Sequence, residues 1–141
     1  MTRVMASGVF DLIHPGHISY LNQAKAMGDH LTVVVASDST VRKNKHEPVT
    51  PEAMRAMIVG SLKPVDEAIV GGQGDIFETV AKVKPDVIVL GYDQRFDEKD
   101  LQAQLDSKGM GNIKVVRANE CADDLNATRR IVAKIREMRS Q

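Results

Sequence analysis

The stretch Gly8-Val9-Phe10-Asp11-Leu12-Ile13-His14-Pro15-Gly16-His17 decides how the rest of this chain reads. It lies between an apolar run, Val4 to Ala6, and a helical pattern that begins near Gly16. Strand, tight turn and helix N-terminus therefore follow one another. Such a junction favours an anion before any side chain is considered, because backbone N–H groups without helical partners and the helix dipole both face it. Two imidazoles stand at the same end: His17 falls in the first helical turn and His14 just before it. Gly8 and Gly16 leave room for a ligand to approach the backbone. The spacing does not fit a Walker A loop, which needs a lysine and a hydroxyl after its last glycine. Nor does it fit H-E-x-x-H, whose histidines stand four apart on one helical face.

Composition narrows the field. The 141 residues suffice for one domain, 1–141, with a buried core. Nineteen basic and nineteen acidic residues cancel, so no global field draws the chain to nucleic acid or membrane. No apolar run reaches the roughly 20 residues that span a bilayer, and Met1 to Ala6 reads as a strand rather than a signal peptide. A cytoplasmic protein is expected. The single cysteine, Cys121, excludes an internal disulfide. His14, His17, His30 and His46 are not spaced as metal ligands, so no protein-held metal is expected.

Strands alternate with helices along the chain, which predicts a parallel sheet covered on both faces. The first strand leads to a helix from about Gly16 to Met27, with Ile18, Leu21 and Ala24 on its apolar face. Leu31 to Ser37 is nearly continuous and β-branched, the mark of a strand buried on both sides. The segment from Asp38 to Thr50 carries Arg42, Lys43 and Lys45 and reads as a polar loop. Thr50 then caps a helix with Pro51 first and Glu52 in its first turn. Met54, Met57, Ile58 and Leu62 form the expected buried stripe of that helix.

Glu67 to Gly71 reads as the third strand, and Asp75 caps a helix through Val83. Val87 to Leu90 is the fourth strand, Glu98 to Lys108 a polar helix, and Ile113 to Val116 the fifth strand. A last helix covers Asn126 to Arg139, with Ile131, Ala133 or Lys134, and Ile135 alternating between core and solvent. The fold class is α/β: one Rossmann-like, doubly wound domain with a five-stranded parallel sheet. In such sheets ligands bind beyond the carboxyl ends of the strands, where the strand order reverses. Gly8 to His17, Arg42 to Lys45, Gly91 to Gln94 and Arg117 to Asn126 all follow strands, so the candidates converge there. A dinucleotide-binding redox domain is disfavoured, because the first turn lacks G-x-G-x-x-G.

No Ser–His–Asp or Cys–His arrangement suggests covalent catalysis. The pattern G-x-F-D-x-x-H-x-G-H, complete from Gly8 to His17, resembles the signature of the nucleotidyltransferase superfamily that includes the cytidylyltransferases and FAD synthases. Beyond it, GVFDLIHPGHISYLNQAKAMGD, VVVASDSTVRKNK, LKPVDEAIVG and KPDVIVLGYDQRFDE resemble the archaeal-type FAD synthases. LKPVD, and LGYDQ followed by FDE, lean toward that family over the glycerol-3-phosphate cytidylyltransferases.

The resemblance implies in-line attack of an acceptor phosphate on the α-phosphate of a nucleoside triphosphate, with pyrophosphate leaving. Such transfers depend on positioning and charge stabilisation. His14 and His17 would be the catalytic donors to phosphate oxygens. Val9 and Phe10 would hold the nucleotide through their backbones, beside Pro15 and Gly16. Asp11 would brace the turn, since its charge repels the substrate. Asp93, Glu120, Thr128 and Arg129 complete the nucleotide-binding candidates, with a turn residue as the other reading of Asp93. Lys43, Lys45 and Arg55 are candidates for the acceptor phosphate. A solvated loop is an equal reading of either lysine. For Arg55, a matching arginine in the related cytidylyltransferases favours function.

Relatives carry a serine/threonine-rich motif at the start of the last helix. Here Leu125-Asn126-Ala127-Thr128-Arg129 keeps one hydroxyl and adds a charge. The implied substrates are ATP and FMN, with a divalent metal, Mg²⁺, accompanying ATP, and the implied assembly is a homodimer. CMP transfer to a small phosphorylated alcohol and a catalytically silent nucleotide-binding protein remain the alternatives.

Overall fold

Val4, Met5 and Ala6 are buried at the centre of a five-stranded sheet, in strand β1 (Arg3–Gly8). The computed structural model describes residues 1–44, 47–72, 76–92, 94, 97–120 and 128–139. On one side β1 pairs with β2 (His30–Val35), which pairs with β3 (Glu67–Val70); on the other it pairs with β4 (Val87–Leu90), which pairs with β5 (Lys114–Arg117). All pairs are parallel, in the order β3-β2-β1-β4-β5. The β1–β2 ladder runs to Gly8↔Val35, whereas the β1–β4 ladder stops at Ala6↔Val89. The sheet order reverses at that second seam, and the two strands part there.

Successive side chains of a strand face opposite ways. Val4 and Ala6 accordingly join one core with Tyr20, Leu21 and Ala24 of α1 (Pro15–Lys25) and Val59 of α3 (Glu52–Gly60). Met5 joins the opposite core with Val80 of α4 (Ile76–Val83) and Leu101 and Leu105 of α5 (Glu98–Ser107). Helices thus cover both faces, as a doubly wound sheet requires.

Several local expectations need correction. Asp38–Asn44, expected as loop, is helix α2. Ser37 starts it by accepting the N–H of Thr40 on its hydroxyl, and Val41 anchors it in the interior. Thr50 does not cap α3: the cap position is Pro51, without a side-chain bond, and the Thr50 hydroxyl donates to Asp11 instead. The buried face of α3 is Arg55 and Val59, leaving Met54 43 % and Met57 65 % exposed. The helix is rotated about its axis because four oxygen acceptors draw Arg55 inward.

Ile18 of α1 is half-buried, and Tyr20 takes the interior position. Strand β5 starts one residue after Ile113, which is itself buried. In α6 (Thr128–Arg139), Ala133, Lys134 and Ile135 are all exposed, with Arg136, Glu137 and Arg139 keeping that helix in water. Asp75, the expected cap of α4, lies outside the described residues.

Candidate active site

The turn between β1 and α1 is built by its two histidines. His14 is the N-cap of α1, and its Nδ1 accepts the N–H of Gly16 at 3.0 Å. His17, three residues on, accepts the backbone N–H of His14 on its own Nδ1 at 3.3 Å. This is a capping box made from two imidazoles in place of the usual hydroxyl and carboxylate. Pro15 follows the cap at the first helical position, where its missing N–H costs nothing.

Because both Nδ1 atoms accept from the backbone, the proton of each neutral ring sits on Nε2. The rings stack 3.8 Å apart, and Phe10 packs on His17 at 5.2 Å. Burial, followed by the electrostatic influence of the adjacent His14 imidazole, lowers the pKa of His17 to about 3 despite the opposing pull of Asp11. His17 is therefore a neutral N–H donor at physiological pH.

The chain reaches this cap through a constrained backbone. Phe10 and Leu12 both have positive φ, 55° and 59°, conformations that side chains other than glycine's rarely adopt. The lack of a side chain at Gly8 answers the same turn: a Cβ there would stand 3.0 Å from the Phe10 ring. Asp11, between the two strained residues, is buried, and its carboxylate accepts from Val49 N–H (2.6 Å), Thr50 N–H (3.0 Å) and the Thr50 hydroxyl (2.6 Å). Burial pushes its pKa up, but the Thr50 hydroxyl, the two N–H groups and the Arg55 charge outweigh it. The carboxyl stays below its ordinary 3.8. Asp11 braces the turn, as the charge argument expected.

Arg55 occupies the interior rather than the acceptor side. Its Nη1 donates to the carbonyls of Val9 (2.8 Å) and Ala36 (2.7 Å), and its Nε to that of Thr50 (2.9 Å). Nη2 completes the set at 2.6 Å from Asp38 Oδ1, with the Arg55 side chain wholly buried. The expected acceptor-phosphate ligand is thus a brace that ties the end of β1, the end of β2 and the start of α3. Its donors are engaged by protein oxygens, which is the physical reason for the correction. Asp38, which sequence reasoning missed, is held ionised chiefly by this guanidinium.

An open, shallow groove of 760 Å³ runs from His14 along α1, lined by Ile13, Pro15, Ile18, Ser19 and Asn22. At its edge Gln23 holds the chain after β5, accepting the Asn119 N–H at 2.8 Å. Glu120 follows and is exposed. Lys43 is exposed in the last turn of α2. Asp93 and Lys45 lie outside the described residues, as do the side chains of Thr128 and Arg129, whose backbones begin α6. Among the described residues, no three histidine, cysteine or acidic side chains gather as a metal site, and no helix is long and apolar enough to cross a membrane.

With the N–H groups of Gly16 and His17 already taken by His14, what the start of α1 can offer phosphate oxygens is its two imidazole Nε2 donors. A family model described as cytidylyltransferase-like matches residues 5–132. The chain belongs to the cytidylyltransferase-like family. Curated relatives within reach of this family are named FAD synthase. The one from Aciduliprofundum boonei is 52 % identical over 136 residues, covering 96 % of this chain and 91 % of its own. The one from Thermoplasma acidophilum is 51 % identical over 138 residues, covering 98 % and 96 %.

Among solved structures, one described as the lipopolysaccharide core biosynthesis protein from Thermoplasma volcanium GSS1 superposes with a TM-score of 0.84 at 50 % identity, covering 86 % of this chain and 98 % of that one. A protein with unknown function from Archaeoglobus fulgidus shares the cytidylyltransferase-like fold at a TM-score of 0.68 and 21 % identity, covering 84 % and 90 %.

Proposed function

We propose that this chain is an FAD synthase, a nucleotidyltransferase that moves AMP from ATP to FMN. An FMN phosphate oxygen attacks the α-phosphorus, the bond from that phosphorus to the bridging oxygen breaks, and pyrophosphate leaves. The observation that carries the reading is the 52 % identity to a relative named FAD synthase over 96 % of the chain.

The geometry supplies the chemistry this reading needs. Nε2 of His14 and of His17 would donate to phosphate oxygens as negative charge builds on them. The capping box fixes the orientation of both rings through Nδ1, which pre-organises the two Nε2 donors. The backbones of Val9 and Phe10, with Pro15 and Gly16, would line the nucleotide side of the turn. Thr128 and Arg129, at the start of α6, would hold the β- and γ-phosphates, and Asp93 and Glu120 belong to the nucleoside side. Lys43 and Lys45 would neutralise the acceptor phosphate. Ile13, Pro15 and Ile18, which line the groove beside His14, would offer an isoalloxazine ring apolar contact. Asp11 has its oxygens occupied by protein donors, so a divalent metal, Mg²⁺, would come with the triphosphate, whose oxygens suit it. A cytoplasmic homodimer completes the proposal, on the strength of the family resemblance, and sedimentation would test the assembly.

The test is incubation with ATP, FMN and Mg²⁺, followed by chromatography. FAD and pyrophosphate are the expected products. No FAD, together with CDP-glycerol from CTP and glycerol 3-phosphate, would reverse the assignment. His14→Ala and His17→Ala should each lower kcat by ~10²–10³ in a folded protein.

A further inference from the structure

We infer that Gln94, clamped by Arg117, is a positioning residue that shapes the nucleoside half of the site. The inference rests on the nucleotide-binding reading above and adds a residue to it. The backbone ladder between β1 and β4 ends at Ala6↔Val89. Beyond that point the strands part, the sheet order reverses, and a crevice opens where doubly wound sheets hold ligands. Two side chains close its floor.

Tyr20 donates its hydroxyl to Val89 O at 2.5 Å and accepts the Ser7 N–H at 3.1 Å. Gln94 does the rest from the other side. Its Nε2 donates to Ser7 O at 2.8 Å, and its Oε1 accepts the Gly91 N–H at 2.8 Å. One carboxamide thus takes over the pairing that the ladder gave up, tying the turn after β4 to the end of β1.

Arg117 holds the same turn from β5. Its Nη1 donates to Gly91 O at 2.8 Å and Gln94 O at 2.9 Å, while its Nε pairs with Glu98. Gly91 and Gln94 are thus held from both neighbouring strands, more firmly than a connection needs. The Gln94 amide bonds the Gly91 N–H and Ser7 O, so its action on the site runs through the backbone of Gly91. The histidines stand on the β1 side of the crevice, where the phosphates would lie. The turn after β4 is the opposite wall, and it faces the ribose and base.

The experiment separates the two halves of the ligand. Binding of α,β-methylene-ATP, whose α–β bridge cannot be cleaved, and of inorganic tripolyphosphate is measured by calorimetry on the wild-type chain and on Gln94→Glu, Gln94→Met and Arg117→Lys. Glu at 94 can still accept from Gly91 but sets an oxygen against Ser7 O, and Met keeps the shape without either bond. The expected result is about tenfold weaker binding of the nucleotide by each Gln94 variant, the size of effect that losing such hydrogen bonds gives. Tripolyphosphate binding should be unchanged, and kcat at saturating ATP should stay within about threefold of wild type.

Equal nucleotide binding by wild type and both Gln94 variants would overturn the inference. So would equal losses for nucleotide and tripolyphosphate, which a merely loosened fold would produce. A wild-type chain that binds the analogue but makes no FAD refutes the proposed reaction and leaves this assignment standing. A wild-type chain that binds no nucleotide removes both.

Discussion

His17 accepts the backbone N–H of His14 through Nδ1, and the two rings lie 3.8 Å apart. That relationship makes one residue both a helix cap and a candidate catalytic donor, and it links stability to pH. The pKa of His17 falls from 6.5 to about 3 on folding. Between those values the unfolded chain binds a proton that the folded chain refuses, so stability rises with pH across the window. The contribution is fully present above about pH 6.5 and is lost as pH falls toward 3. Gln at position 17 can still cap the His14 N–H but cannot titrate. Denaturant midpoints at pH 7 and pH 5 should therefore differ less in His17→Gln than in wild type. An unchanged difference would mean that His17 titrates normally in the fold.

Arg55→Met should destabilise the fold by ~3–5 kcal/mol, because it leaves the carbonyls of Val9, Ala36 and Thr50 without their buried donor. Urea denaturation measures this directly. Arg55→Lys should recover only part, since one ammonium cannot reproduce a planar fork. A near-wild-type midpoint for Arg55→Met would return Arg55 to the list of ligand-binding residues.

Asp11→Asn should cost ~1–3 kcal/mol, since an amide cannot accept as well as a carboxylate from three donors at once. The folded carboxyl lies below 3.8, so its stabilisation is present above that pH and lost as pH drops through the lowered value. The acid limb of the stability curve below pH 3.8 should thus be shallower in Asp11→Asn, while the limb governed by His17 stays in place.

Arg129→Ala should raise KM for ATP more than it lowers kcat, and the difference should shrink as salt rises. An unchanged KM would identify Arg129 as ordinary helix surface.

The sheet was legible because buried parallel strands are written as unbroken apolar runs; Val87 to Leu90 matched to the residue. The signature turn was legible because glycine, histidine and spacing are local properties. What escaped was side-chain traffic between distant segments. Nothing near Arg55 in the chain announces that Val9, Ala36 and Asp38 will surround it, so the stripe of α3 was set one residue off, on its methionines. His14 escaped as a cap because imidazole is an uncommon N-cap, and Thr50 was expected to cap because hydroxyls usually do. Gln94 stood within the LGYDQ motif, yet its bond to Ser7 depends on where the β1–β4 ladder stops, which no local pattern records.

The central place of β1 has a consequence for how the protein is made. The strand that leads into the histidines leaves the ribosome well before its neighbour β4, which is finished only at Leu90. Until β4 emerges, Val4, Met5 and Ala6 have one flank unpaired. Parallel partners so far apart in sequence close slowly, and an open apolar strand is what chaperones recognise and aggregation exploits. The nascent chain can complete the sheet behind its histidine turn only after β4 has been translated.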